Sequence, residues 1–216
     1  MTDAVRTSAH AAEAGPGARL SSSTRLAIVL AVGALQTLAY LLSNHHPLRA
    51  PVELPRAEFE LALQFLPATV WPYLALLACE LALPLLVRGR AEFRRLFVAY
   101  GIAMGVAFAT YALWPTTYPR PPLPADGTLG AWAYGRLVAI DGPGCCLPSG
   151  HVIVPAIAAW SVFRDRGWWW PLALVFALVP SVLTTKQHYA LDVLAGLALA
   201  AVAIGLARKL DGARGA

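Results

Sequence analysis

The stretch CCLPSGHVIVP, Cys145–Pro155, joins a Pro-Ser-Gly turn and a histidine to the start of an apolar run. Pro148 breaks the preceding loop and Ser149 is a favoured helix N-cap. Gly150 lets a ligand approach the backbone closely. The first amides of a helix are unpaired and point outward, so this turn offers an anion site with His151 beside it. Pro155 has no N–H to give the His151 carbonyl, which loosens the helix next to the histidine. The apolar run that follows is short. About fifteen residues at 1.5 Å each give roughly 22 Å, less than a hydrocarbon core of about 30 Å. The helix is therefore expected to begin below the membrane surface, at the floor of a cavity. Four residues alone fit a plainer account equally well, a capped helix carrying an interfacial histidine.

Working outward, the chain is 58% hydrophobic and 13% charged, with a mean hydropathy of +0.58 over 216 residues. A soluble domain of this size carries far more charge. The expected fold is an all-α polytopic membrane protein, a six-transmembrane-helix bundle with spans near 25–43, 66–87, 96–114, 149–164, 168–184 and 188–207. Residues 1–24 are Ala/Gly/Ser-rich and read as a disordered cytoplasmic tail. Residues 25–207 form the membrane catalytic domain with a long outer loop at 115–148, and 208–216 form a second cytoplasmic tail. The run Leu26–Leu42 is too long for a secretory signal core and no small-x-small site follows, so it reads as a true span. Trp71, Tyr73, Trp114, Tyr118 and Trp168–Trp170 fall at span ends, as an aromatic belt does.

The net charge of +5 and pI near 9.4 do not indicate nucleic acid, because the charges sit in short loops between apolar runs. With the N-terminus in the cytoplasm, 12 of the 17 Lys and Arg residues fall inside, from Arg6 to Arg214. Arg49, Arg56, Arg120, Arg136 and Lys186 fall outside. That asymmetry predicts both termini cytoplasmic and a site facing the periplasm or exterior of the cell (inner) membrane. It also singles out Arg120 and Lys186 as cations on the side the rule leaves poor in charge.

Two further motifs share that outer face. In HYALD, His188 and Asp192 are four apart and lie on one helix face. A carboxylate one turn from a histidine can accept its Nδ1–H and leave Nε2 as a nucleophile. A structural His–carboxylate pair is common in soluble proteins, but an ionisable pair inside a membrane marks function by default. PTTYPRPP places Arg120 in a rigid segment, and guanidinium matches phosphate oxygens bidentately. Together these motifs assemble an anion hole, two histidines, a carboxylate and two cations. That inventory suits phosphoryl transfer through a phosphohistidine, with one histidine attacking and the other protonating the leaving oxygen.

On these residues the chain resembles the type 2 phosphatidic acid phosphatase superfamily, whose signatures are K-x6-R-P, P-S-G-H and S-R-x5-H-x3-D. Arg120-Pro121, Pro148–His151, and Ser181, His188 and Asp192 match them, and the resemblance runs over roughly 25–207. It implies a metal-independent lipid phosphatase or phosphotransferase acting on a lipid phosphate or diphosphate among the membrane lipids, with no cofactor. His188 is implied as nucleophile, Asp192 as its partner and His151 as general acid. Arg120, Ser149 and the Gly150 amide are implied as the phosphate cradle. Two motif cations are absent, at Leu113 and Val182, and Lys186 is a candidate substitute. The form TKQHYxLDVLAG, with HVxxP after the second motif, is similar to the branch of inositol phosphorylceramide synthases, which move a head group onto a lipid alcohol.

Other readings stay open at this point. The site could be a non-catalytic lipid-binding or transport protein with a decayed centre, or two histidines and an aspartate could ligate zinc. Cys79 reads as packing, and Cys145 and Cys146 are adjacent with too short a Cα separation for an unstrained bond. His45 and His46 mark an interface. Glu80 counts toward the inner end of its span, far from the outer cluster. Asp126, Asp141 and Arg136 read as solvated loop residues.

Overall fold

The computed structural model describes residues 19–125 and 127–213. Most of residues 1–24, together with Arg6, Asp126 and Arg214, lies outside them. The elements in chain order are α1 (Ser22–His45), β1 (Val52–Glu53), α2 (Glu58–Ala62), α3 (Val70–Leu86, preceded by a 3-10 turn Pro67–Thr69), α4 (Arg90–Leu113), β2 (Thr116–Thr117), α5 (Leu129–Ile140), α6 (Gly150–Arg166), α7 (Trp170–Leu178), α8 (Ser181–Thr184) and α9 (Ala190–Gly212).

Every apolar run of the sequence is helical. Among the described residues, four stretches are long and apolar enough to cross a membrane: Ser22–His45, Pro67–Leu86, Arg90–Leu113 and Ala190–Gly212. The other two runs are shorter. Gly150–Arg166 has 17 residues, and the run at 168–184 is broken between Leu178 and Ser181, where Pro180 interrupts the ladder. The helix ends also move outward from the expected spans. α4 starts at Arg90, because the charged RAEFRR segment continues the helix beyond the apolar part. α1 starts at Ser22, with Ser21 accepting from the Thr24 amide as N-cap, and Arg19 bridges to Gly89. The described chain is thus structured before residue 24.

α6 is the axis of the bundle and packs against α3, α4 and α9. Val152, Ile153, Val154, Ile157, Ala158, Ala159 and Val162 are all buried, so this helix is apolar on every side. α1 lies at the periphery, burying only Arg25, Val29 and Asn44. At the end where α4 begins, the charges cancel in pairs: Arg94 and Arg95 meet Asp211, and Glu92 meets Arg95 and Arg208. Trp168–Trp170 are exposed near that end, with the Arg166 guanidinium 4.4 Å from the Trp168 ring centre.

The opposite end carries a cap where the sequence predicts only loop. It holds the helix α5 and a parallel two-stranded ribbon pairing Val52 with Thr116 and Glu53 with Thr117. Leu54, Tyr118, Cys146 and Tyr189 pack beneath it as a small separate core. The ribbon is tied downward: Tyr189 Oη donates to the Thr117 carbonyl at 3.0 Å, and the Leu147 amide donates to Thr116 Oγ1 at 2.9 Å.

Candidate active site

The site forms where the first turns of α6 and α9 meet under the cap. The Ser149 amide donates to the Asp192 carbonyl at 3.1 Å, joining the two motifs through backbone alone. A Cβ on Gly196 would stand 2.9 Å from the Ser149 carbonyl oxygen, so glycine is required at this approach. Ser149 occupies the N-cap position, yet its hydroxyl caps nothing. Its Oγ is buried with no partner among the described residues, and the Val152 amide bonds to its carbonyl instead. Tyr111 Oη donates to the Pro148 carbonyl at 2.6 Å and holds the turn from the α4 side.

His188 is buried, and both neighbours of its Nδ1 are acceptors. Asp192 Oδ2 lies 3.2 Å away and the Cys146 carbonyl oxygen 3.1 Å away. Nδ1 therefore carries the proton and Nε2 the lone pair. Asp192 is fully buried, and the same Oδ2 also accepts the Tyr189 amide at 2.8 Å. Glu60, in the short helix α2, accepts the Ala190 amide on Oε1 at 2.7 Å. It places a carboxylate at the N-terminus of α9, where the helix dipole favours one.

The His151 ring stands edge-on to His188, with centroids 5.6 Å apart. Its Nδ1 lies 3.2 Å from Glu80 Oε1, and its Nε2 is buried with no partner among the described residues. This corrects the placement of Glu80 away from the cluster. α6 begins deep in the bundle, so its first turn meets the middle of α3 rather than its end. Tyr40 and Tyr73 flank the ring at centroid distances of 5.8 and 5.4 Å. A mainly apolar cavity of about 540 Å³ opens on this side, and its polar lining includes His151, Glu80, Tyr40 and Asp141.

Arg120 reaches the cluster from the cap. Its guanidinium donates to the Asp141 carbonyl, to Asp141 Oδ2 at 3.2 Å, to the Gly142 carbonyl at 2.7 Å and to Gln187 Oε1 at 2.6 Å, while Nε is unpartnered. Asp141 is buried, not solvated. Tyr40 Oη donates to its Oδ1 at 2.7 Å and Asn44 Nδ2 donates to it at 2.9 Å. Asn44 Oδ1 in turn accepts the Gly144 amide at 2.9 Å. A buried carboxylate in the loop is stable here because three side chains satisfy it.

Lys186 points elsewhere. Its Nζ donates to the carbonyls of Glu60 and Leu63, at 3.2 and 2.6 Å. Burial and, next, the charge of Arg56 lower its pKa, against the opposing pull of Glu60. Gly150 lies at the start of α6, where an added Cβ would meet Tyr111 Oη and Met104 Cε at ordinary contact distance. The structure thus brings His151, His188, Asp192, Ser149 and Arg120 together, and sends Lys186 to the α2 loop.

Cys145 and Cys146 are free and buried. Burial, with Asp141 nearby, pushes the Cys145 thiol up to about 12, and burial, with Asp192 next in effect, raises the Cys146 thiol as well. Cys146, His188 and Asp192 offer donor atoms within 4.8 Å of one another, a set of the kind zinc uses.

No curated protein matches the chain. A family model described as the PAP2 superfamily matches residues 61–206. That segment contains His151, His188, Asp192, Arg120 and the Glu80 beside them, and the apolar helices with this family match fit a membrane phosphatase or phosphotransferase acting on lipids. The chain belongs to the PAP2 superfamily.

Proposed function

We propose that the protein is an integral membrane lipid phosphatase or phosphotransferase that works through a phosphohistidine on His188, at the outer face of the cell membrane. The observation that carries this reading is the His188–His151 pair, with each Nδ1 held and each Nε2 free of protein partners in the described residues. His188 Nε2 attacks phosphorus, and the bond from phosphorus to the lipid oxygen breaks. His151, protonated on Nε2, gives its proton to that oxygen, and the Glu80 carboxylate balances the ring's charge. In the second half, His151 takes a proton from water or an alcohol as that oxygen attacks phosphorus, and His188 is released. Asp192 holds the His188 ring in the attacking tautomer throughout. Arg120, Ser149 Oγ and the Gly150 amide bind the phosphoryl oxygens, and no metal takes part. Lys186, held on the α2 loop, supports the cap and does not reach the phosphate.

The test uses purified protein and a panel of radiolabelled lipid phosphates and diphosphates. Phosphate release, trapping of acid-labile phosphohistidine, and loss of both in His188→Ala are expected. Full activity in His188→Ala overturns the assignment, and a failure to trap phosphoenzyme across the panel favours a lipid-binding protein without catalysis.

A second reading is favoured by the Arg120–Asp141 ion pair at 3.2 Å. With its one arginine opposed by a carboxylate and Leu113 and Val182 in place of motif cations, the cradle suits the single charge of a phosphodiester. Head-group transfer to a lipid alcohol, as in the inositol phosphorylceramide synthase-like branch, then becomes the reaction. Thin-layer analysis with and without added acceptor separates the two. A new phospholipid that depends on the acceptor supports transfer, and free phosphate alone rules it out.

A further inference from the structure

A second cavity, larger than the catalytic one, lies beside it. It is a groove of about 1110 Å³ between α1 and α4, walled by Ile28, Val32 and Leu35 on one side and Phe93, Phe97 and Phe108 on the other. Both helices are long and apolar enough to cross a membrane, so the groove runs along the lipid. Its polar end is formed by Arg90 and Arg94, and among the described residues no carboxylate lines it. Arg94 is engaged by Asp211, whereas Arg90 is exposed and makes no ion pair among the described residues.

Gly101 lines the same groove midway along α4, and a Cβ there would meet nothing within 4 Å. Glycine in a helix interior is destabilising relative to alanine. Protein packing does not require it at this position, and its effect is to leave room in the groove. From Arg90 to Gly101 is eleven residues of helix, about 16 Å, which is the depth of one leaflet of a hydrocarbon core of about 30 Å.

The groove also touches the catalytic cavity. Val32, Gln36, Phe97, Tyr100 and Met104 line both. α1, which forms one wall of each, buries few residues of its own, yet carries Tyr40 and Asn44 to the seat of Asp141 and Arg120.

We propose that this groove binds one acidic phospholipid of the surrounding membrane, with its head-group phosphate at Arg90 and an acyl chain passing Gly101. The lipid fills the space that protein side chains leave between α1 and α4. It thereby holds α1 in the position from which Tyr40 and Asn44 reach Asp141. The basic charge at one end, with no carboxylate in the lining among the described residues, selects an anionic head group over a zwitterionic one.

The experiment uses the full chain in nanodiscs of phosphatidylcholine, alone or mixed with phosphatidylglycerol, followed by detergent extraction and native mass spectrometry of retained lipid. Phosphatidylglycerol is expected to remain bound, one per chain, in preference to phosphatidylcholine, and to raise the thermal midpoint. Arg90→Gln is expected to lower retention roughly fivefold, the worth of one basic side chain at an anionic surface. Gly101→Trp is expected to abolish retention by filling the groove, and Gly101→Leu serves if the tryptophan variant does not fold. Equal retention of the two lipids overturns the proposal. So does a preference that survives both Gly101 variants, which marks general surface attraction. Retention that appears only after deletion of residues 2–18 also overturns it, by assigning the groove to the chain's own N-terminal segment.

Discussion

Glu80 on α3 and His151 on α6 face each other at 3.2 Å, Oε1 to Nδ1, in the middle of the bundle. The side chains are 17% and 15% exposed, so neither has bulk water as its main partner. The pair holds the histidine ring, which stands edge-on to His188 with centroids 5.6 Å apart. Under the proposed mechanism, in which His151 gives the proton, His151→Ala is expected to lower kcat about 10²- to 10⁴-fold. Glu80→Gln keeps a hydrogen-bond acceptor but loses the charge, and is expected to lower kcat roughly tenfold or more with KM little changed. Steady-state kinetics on a lipid phosphate checks both. An unchanged kcat in Glu80→Gln would remove Glu80 from the proton path.

Asn44 is the next residue to test. Its side-chain amide contacts Asp141, Gly142 and Gly144, and the whole loop that seats Arg120 leans on it. Asn44→Ala strands the Gly144 amide, costing about 1–3 kcal/mol, and removes one of the two donors to Asp141 Oδ1, which keeps Tyr40. The thermal midpoint should fall, and KM should rise more than kcat falls, because Arg120 loses its seat. A change in midpoint with unchanged KM would confine Asn44 to stability.

Gly196 makes a sharper point about geometry. Its missing side chain allows the Ser149 carbonyl to approach α9. Gly196→Ala adds one methyl at 2.9 Å from that oxygen and must push the α6 turn away from Asp192. The variant should express and fold, since the overlap is local, yet lose most of its activity. Circular dichroism beside an activity assay distinguishes this from general unfolding.

The cysteines give a pH prediction. The Cys145 thiol is held up to about 12 against an ordinary value of 9.0, and Cys146 is raised in the same direction. Below pH 9 both folded and unfolded thiols are neutral and nothing is gained or lost. As pH rises from 9 toward 12, the unfolded thiols ionise and the folded ones do not, so stability falls across that window. At pH 8 the thiols should resist iodoacetamide in the folded protein, and all three cysteines should label after denaturation. Mass spectrometry of the alkylated chain reads the result.

Chelation tests the role of Cys146, His188 and Asp192 as a donor set. His188 Nδ1 is already engaged by Asp192 and the Cys146 carbonyl, so hydrolysis or transfer is expected to be unchanged by EDTA. Cys146→Ser should also keep most activity, because its contact to His188 is through backbone. Loss of activity with EDTA and recovery with zinc would replace the phosphohistidine reading.

The bilayer makes much of this fold readable in advance. An apolar run in a membrane must close its own hydrogen bonds, and all six runs are helical. The spacing of His188 and Asp192 also reads directly, because the helical repeat puts them on one face. Depth does not read that way. Glu80 is misplaced by its sequence position, because its distance from a helix end says nothing about how deep α6 begins. Glu60, Tyr40 and Asn44 escape for a related reason: each meets the site across the fold, in loops or helix ends without periodic pattern. α5 is hidden in the 115–148 segment because its apolar run is too short to span a bilayer, carries Gly130 and Gly135, and is flanked by Gly and Pro, which read as loop.

The ribbon, Glu60 and α1 have a practical consequence. Asn44, Tyr40 and Glu60 all precede residue 61, where the family match begins. A chain trimmed to that boundary would keep both histidines and the aspartate, yet lose the support beneath Asp141 and the acceptor of the Ala190 amide. The matched segment therefore leans on residues before it, and a chimera that transplants it must carry α1, the ribbon strand and α2 to keep these contacts.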